Sequence, residues 1–259
     1  MITDTILRTR WATPFVRLWL RRRLFTSVEV EPNSACTLRC RLCPNRAEPR
    51  EAAFMPTELW DKILSDLAAL RYCGTLSPHF FNEPLLDDRL PDLLGRARRA
   101  LPTARLVLFS NFTLMTPALY QTLHPLVHEF VVSIDEPAIA RAVEDFLPQI
   151  EPSLRDKIRT RNMRKEGILS NRGGNLDVDG PGFRPRARCL DPLRYLIIDY
   201  AGNVHFCFHD FHNEMIFGNM AQASIRDIWF SKDFFEARRA AFQGRYTQPL
   251  CGKCAWTQD

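Results

Sequence analysis

Ser27-Val28-Glu29-Val30-Glu31-Pro32-Asn33-Ser34-Ala35-Cys36-Thr37-Leu38-Arg39-Cys40-Arg41-Leu42-Cys43-Pro44-Asn45 opens as a strand and ends as a cysteine loop. Residues 27 to 31 alternate polar and apolar, the period of a half-buried strand. They run directly into a loop with three cysteines. The same order of strand, loop and helix then recurs. Leu59, Trp60, Ile63, Leu64, Leu67 and Leu70 predict a helix, with Thr57 as its N-cap. Leu76 to Phe81 predicts a second strand, ending at Asn82-Glu83-Pro84, and Leu90 to Ala100 a second helix. Arg105 to Phe109 predicts a third strand, ending at Ser110-Asn111, with a helix over Thr116 to Leu123. Glu129 to Ile134 predicts a fourth, containing Ser133 and ending at Asp135.

This alternation argues for an α/β fold with a parallel sheet and crossover helices. In such folds the chemistry sits in loops at the carboxyl ends of the strands. The cysteine loop, Asn82-Glu83, Asn111 and Asp135 all fall there. From Glu29 to Cys189 there are about 160 residues, short for an eight-unit barrel of ~250. The prediction is a partial (β/α) barrel. Residues 136 to 180 should hold a helix, then a loop or a fifth strand. Their basic run, Arg155, Lys157, Arg159, Arg161, Arg164 and Lys165, reads as a solvated helix face, with a phosphate or carboxylate clamp as the sharper reading.

A second unit starts near Arg184, dividing the chain into 1–184 and 185–259. Tyr195 to Asp199 and Val204 to Phe208 flank Tyr200-Ala201-Gly202-Asn203, a hairpin signal. Ser224-Ile225-Arg226-Asp227 resembles a capping box and opens a helix to about Phe242. The prediction is a small β-hairpin plus helix domain that carries Cys189, Cys207, Cys251 and Cys254.

The chain has 259 residues with Lys+Arg 35 against Asp+Glu 30, a formal charge of +5. That excess hints at an anionic ligand and does not call for nucleic acid. No apolar run of about 18 residues occurs, so no membrane span is predicted. Trp11 to Phe25 is apolar, but its arginines fall within and after the apolar stretch, unlike a signal peptide. An amphipathic helix over 8–25 packed on the body is the reading, and a cytoplasmic location follows. Eight cysteines without a secretion signal then point to metal or redox chemistry rather than disulfides.

Cys36-x3-Cys40-x2-Cys43 offers three thiolates on one short loop. Iron–sulfur clusters take cysteine thiolates, commonly four, so three ligands leave one iron open. Structural zinc prefers paired C-x2-C units that complete four ligands. With that spacing, Glu31-Pro32-Asn33-Ser34-Ala35 before it and Pro44-Asn45 after it, the sequence resembles the radical S-adenosylmethionine superfamily. The resemblance implies a 4Fe–4S cluster whose open iron chelates the methionine part of S-adenosylmethionine and whose electron releases a 5′-deoxyadenosyl radical. It implies cofactor or substrate contacts from Asn82, Glu83, Asn111, Ser133 and Asp135. Leu42 stands where the family often has an aromatic residue against adenine.

On chemistry alone Cys189, Cys207, Cys251 and Cys254 suit zinc or a second 4Fe–4S cluster equally. Their arrangement, with Gly202-Asn203-Val204, Gly218-Asn219 and Ile225-Arg226-Asp227-Ile228-Trp229, resembles the twitch domain, a truncated SPASM domain. That implies an auxiliary 4Fe–4S cluster, fully ligated and suited to electron transfer. Cys73 is left as a buried structural thiol, with hydrogen-atom donor as the sharper reading. His209, Asp210 and His212 follow Cys207 as polar contacts of the site or its surroundings. The type most resembled oxidises a cyclitol alcohol, which implies a small-molecule substrate, a flavodoxin or ferredoxin-type electron donor, and a base, for which Arg172, His79 and Asp135 are candidates. Rival readings are a sugar epimerase, which needs a thiol hydrogen donor, a ribosomal-peptide maturase, for whose peptide-recognition domain there is no room before Val28, and a non-enzymatic iron–sulfur or zinc module.

Overall fold

The structure, a computed structural model, describes residues 24–166, 169–177 and 183–257. The helix expected over 8–25 lies outside them except for Leu24 and Phe25. Five strands, β1 (Ser27–Val30), β2 (Thr75–Ser77), β3 (Arg105–Phe109), β4 (Glu129–Ser133) and β5 (Ile158–Arg161), lie parallel in sequence order. They alternate with α1 (Thr57–Ala69), α2 (Leu90–Ala100), α3 (Pro117–Leu123) and α4 (Pro137–Phe146). On the other side of β1 comes β6 (Tyr195–Ile198), also parallel, then antiparallel β7 (Asn203–His205) and β8 (Ile216–Asn219). The order is β5-β4-β3-β2-β1-β6-β7-β8, so the eight-stranded sheet stays open with β5 and β8 as its edges. The α/β expectation is borne out. The cysteine-bearing C-terminal unit continues the barrel sheet through the β1–β6 ladder.

Side chains alternate across a strand, and this separates core from site. Val28, Val30, Leu76, Leu106, Phe130 and Leu196 point to the helix side, where they meet Trp60, Ile63, Leu67 and Tyr120 in one buried cluster. Each helix presents one apolar stripe: Trp60, Ile63, Leu64 and Leu67 on α1, and Leu90, Leu93, Leu94 and Ala97 on α2. Ser27, Glu29, Ser77, Val131 and Ser133 therefore face the opposite, concave side.

Several sequence expectations shift. The second strand stops at Ser77 because Pro78 has no N–H to continue the ladder. Pro56, not Thr57, holds the N-cap position of α1. Residues 136–161 supply both a helix and the fifth strand. The basic run is not a helix face: Arg155 and Lys157 end a 3-10 turn, and Arg159 and Arg161 lie on β5. The single helix expected over 224–242 is two, α5 (Ile225–Trp229) and α6 (Lys232–Phe242), because Ser231 caps a new helix through the Phe234 N–H. The hairpin turn closes at Gly202, whose φ of +84° only glycine adopts freely and whose Cβ position would stand 3.0 Å from Leu59.

Candidate active site

The cysteine loop leaves β1 and returns at Met55, clasped at its base. Met55 N–H donates to the Pro32 carbonyl at 2.8 Å, and Ser34 Oγ accepts from Ala53 N–H at 2.8 Å. Within it the Cys43 N–H donates to the Cys40 carbonyl at 3.1 Å, and Pro44–Arg46 forms a 3-10 turn. A buried ion pair braces the loop against the sheet. Arg50 donates from Nη1 to Glu31 Oε2 at 3.1 Å and from Nη2 to Oε1, while Oε1 also accepts from Phe81 N–H at 3.0 Å.

Loops after β2 and β3 close on this one. Glu83 donates its N–H to the Ala35 carbonyl at 2.8 Å, and Asn33 Nδ2 donates to the Glu83 carbonyl at 3.3 Å. The Glu83 carboxylate accepts from Ser110 Oγ at 2.8 Å, Leu85 N–H at 3.1 Å and Asn111 N–H at 2.7 Å. Burial still pushes its pKa up to about 7, against those bonds. Asn111 Nδ2 donates to Thr37 Oγ1 at 2.9 Å and reaches Cys36 Sγ at 4.0 Å. Asn82 is buried and its Nδ2 has no partner, leaving a donor open to a ligand. Ser133 is half-buried at the end of β4. Asp135 is engaged elsewhere: its oxygens accept from Met163 N–H at 3.3 Å and Arg164 N–H at 3.1 Å, clamping the turn after β5.

The concave face brings the candidates His79 and Arg172 together with Glu29, which the sequence reading did not single out. Glu29, at mid-strand on β1, has its pKa raised to about 7 by burial, with Arg172 opposing and Asp191 adding to the rise. His79 stacks on Phe109 at 5.0 Å, and its Nδ1 is buried without a partner. Burial, then the Arg172 and Arg161 charges, lower its pKa to about 4, so it is neutral at neutral pH. Arg172 sits at φ +51° beside Gly173 and Gly174, both also at positive φ. This left-handed turn, costly for a non-glycine residue, directs Arg172 Nε to the Leu42 carbonyl at 3.2 Å. Burial lowers the Arg172 pKa, with Cys43, Glu29 and Cys207 opposing. Arg172 thus feels one thiol from each cysteine set.

Cys189, Cys207, Cys251 and Cys254 line one pocket, with Phe206, His209, Tyr246, Leu250 and Trp256. Asp191 approaches Cys189 Sγ at 3.8 Å and is neutralised by Arg186 Nη1 at 2.9 Å. The wall is held by a fully buried triad. His205 Nδ1 bonds Asp210 Oδ2 at 3.0 Å and Nε2 bonds Asp199 Oδ2 at 3.1 Å. Burial opposes the imidazolium, but the two carboxylates outweigh it and raise its pKa to about 9. Asp210 is therefore structural. His209 bonds Ser170 Oγ at 3.1 Å and approaches Cys254 Sγ at 3.7 Å, whereas His212 faces Glu48 at 3.6 Å on the surface side.

The donor set fits iron–sulfur clusters. Burial pushes up the thiols of Cys40 and Cys251, each to about 12, and those of Cys36, Cys43, Cys189, Cys207 and Cys254 as well. Such thiols ionise when a coordinated metal supplies the compensating charge. Among the described residues no three His, Cys, Asp or Glu side chains converge on a single-ion site; the four thiols line one pocket. Cys73 corrects an expectation. It is exposed, and it precedes the amino-terminal end of β2, away from the cysteine loop, so the thiol hydrogen donor an epimerase needs is not placed at the site.

A family model described as an iron–sulfur cluster-binding domain, SPASM, matches residues 189–255. The S-adenosyl-L-methionine-dependent 2-deoxy-scyllo-inosamine dehydrogenase of Niallia circulans is 31% identical over 235 residues, 90% of this chain and 93% of that protein. The chain belongs to this radical S-adenosylmethionine dehydrogenase family. The crystal structure of BtrN in complex with AdoMet and 2-DOIA superposes with a TM-score of 0.80 at 32% identity, over 90% of this chain and 93% of that one. Native anSMEcpe with bound AdoMet shares the fold, with a TM-score of 0.61 at 11% identity over 83% of each chain. The protein is a radical S-adenosylmethionine oxidoreductase with a C-terminal iron–sulfur domain of the SPASM type. Its cofactors are S-adenosylmethionine and iron–sulfur clusters, and the non-enzymatic reading is set aside. No described helix is long and apolar enough to cross a membrane.

Proposed function

We propose that this enzyme oxidises a secondary alcohol of a small cyclic substrate, an aminocyclitol or sugar alcohol, by two electrons. The supporting observation is the placement of Arg172: its Nε bonds the Leu42 carbonyl beside Cys43, while the adjoining Gly173 lines the pocket of Cys189, Cys207, Cys251 and Cys254, so a substrate bound there would lie between the two thiol sets. We assign Cys36, Cys40 and Cys43 to the first 4Fe–4S cluster, and Cys189, Cys207, Cys251 and Cys254 to an auxiliary one. Held by these residues, the first cluster with S-adenosylmethionine would supply the radical chemistry that removes the carbinol hydrogen, and the auxiliary cluster would take up the second electron.

The chain's own residues bind, orient and move a proton. Asn82 Nδ2, without a partner in the fold, and the neighbouring Glu83 backbone hold the methionine end of the cofactor. Leu42 packs its adenine, and Asn111 and Ser133 serve its ribose or the substrate. Three groups remain near the hydroxyl. His79, at about 4, is a weak base. Arg172 is a cation that orients the hydroxyl oxygen. Glu29, at about 7, has the proton affinity suited to accepting the hydroxyl proton at neutral pH. Asp135 is occupied by the turn it clamps. A flavodoxin or ferredoxin-type donor in the cytoplasm would deliver the first electron.

The test is anaerobic reconstitution followed by iron counting and assay with candidate aminocyclitols. Two cubanes predict about eight irons per chain, falling to about four in Cys251→Ala. Dithionite and S-adenosylmethionine should yield 5′-deoxyadenosine, with a ketone product from the correct alcohol. About four irons with no loss in the variant would overturn the two-cluster assignment.

A further inference from the structure

Half of the basic run between Arg155 and Lys165 has work inside the fold. Arg155 Nη2 donates to the Ile150 carbonyl at 3.1 Å. Lys157 Nζ donates to the carbonyls of His124 at 2.6 Å and Val127 at 2.9 Å, closing the end of α3. Arg159 meets Glu129 at 2.5 Å, and Glu129 also binds Arg105 at 2.7 Å.

Arg161 differs. It is the last residue of β5, in register with Ser133, two residues beyond Arg159 and so on the same, concave face. It stands nearer the carboxyl end, where the cysteine loop lies. Its Nε is buried without a partner, and among the described residues its guanidinium makes no hydrogen bond or ion pair. Arg172 uses only Nε, on the Leu42 carbonyl. The Arg161 charge reaches Arg172, His79 and Tyr195.

Two guanidiniums on one half-buried face repel each other, with Cys43 and Glu29 favouring the Arg172 charge. His79 is neutral, Glu29 is the carboxylate acting on Arg172, and Asp191 is engaged by Arg186. Like charges gathered on a concave face are stabilised by an anion, and a guanidinium fork matches carboxylate and phosphate oxygens.

We propose that Arg161, beside the hydroxyl-orienting Arg172, forms an anion subsite that takes a phosphate or carboxylate substituent of the substrate. This rests on the alcohol-oxidation reading and narrows its substrate class to acidic cyclitols or sugars, unlike the aminocyclitol in the relative's name.

The test is anaerobic calorimetric titration of the reconstituted holoenzyme with S-adenosylmethionine bound. The probes are myo-inositol 1-phosphate against myo-inositol, and glucuronate against glucose, which separates the phosphate from the carboxylate source. At least one acidic probe should bind about tenfold tighter than its neutral counterpart. The preference should fall below about threefold in Arg161→Gln, survive largely in Arg161→Lys, and be unchanged in Arg159→Gln. Equal binding of acidic and neutral probes, or an undiminished preference in Arg161→Gln, overturns it. So does weaker S-adenosylmethionine binding in Arg161→Gln with the acid preference intact, which would put the guanidinium on the cofactor's carboxylate. If Arg161→Gln does not fold, Arg161→Lys decides: loss of its acid preference would count against a charge-driven subsite. Alcohol oxidation is read separately, as ketone formation, so it can fail while acid binding stands, or the reverse.

Discussion

Arg50→Met tests whether the cysteine loop is held by a buried ion pair. Glu31 has a fully buried side chain and Arg50 is 16% exposed, so solvent screens the pair little. The substitution removes both guanidinium bonds and leaves Glu31 with the Phe81 N–H alone. It also removes the stacking of Arg50 over Phe81 and Phe211, each at 5.6 Å. Breaking a buried pair from one side costs ~3–5 kcal/mol, because the remaining charge is uncompensated. For a chain of this size each kcal/mol moves the melting temperature by ~2–4 °C, so the loss should be roughly 6–20 °C. Burial already raises the Glu31 pKa against the pull of Arg50; without Arg50 it rises further. A carboxyl raised in the folded state contributes stability that is present below its unfolded pKa and lost as pH rises through the folded one. The defect should therefore shrink as pH falls. Glu31→Gln in the Arg50→Met background should restore at least half the loss, since an amide oxygen still accepts from Phe81. The assay is anaerobic thermal melting of cluster-free and reconstituted protein. A melting temperature within ~3 °C of wild type, or no rescue by the second substitution, would refute the reasoning.

Three further outcomes are expected. His205→Phe leaves the buried Asp199 and Asp210 carboxylates facing each other without a cation, and should cost ~3 kcal/mol or more, read as melting temperature. Glu29→Gln should reduce ketone formation by ~10²-fold or more while 5′-deoxyadenosine still forms. Because the Glu29 pKa is raised to about 7, its stability contribution is present below pH ~4.5 and lost as pH rises through ~7, so the variant should melt higher than wild type at pH 8 and not at pH 4.5. Cys207→Ser should halve the iron and abolish ketone formation while leaving reductive cleavage of S-adenosylmethionine, measured as 5′-deoxyadenosine.

The strand–loop–helix order, the three-cysteine loop and the four later cysteines were all legible in the sequence. They depend on local periodicity and on residue types whose chemistry does not change with context. The parallel sheet followed from alternation because a crossover helix leaves few other arrangements. Element ends were less legible, as at Ser77 and Ser231, where one missing donor or one hydroxyl ends or starts an element. The fates of individual polar residues were not legible. In the sequence Asp135 looks like a candidate base and Asp210 like a polar contact of the site or its surroundings, and the fold occupies both with backbone amides. Cys73 looks like a core thiol and is exposed.

Glu29 and Arg161 show the same division from the other side. In the sequence, Glu29 is one polar residue of an alternating strand and Arg161 one member of a basic run. Only the register of β1, β5 and their neighbours puts both on the concave face with Arg172 and His79. By itself the sequence determined a cluster loop with one iron left open, which its resemblance to the radical S-adenosylmethionine superfamily turned into radical chemistry, because three thiols on one loop need no distant partner to declare themselves as ligands. What the radical meets was decided by tertiary structure, because burial and charge at a pocket are sums over residues far apart in the chain.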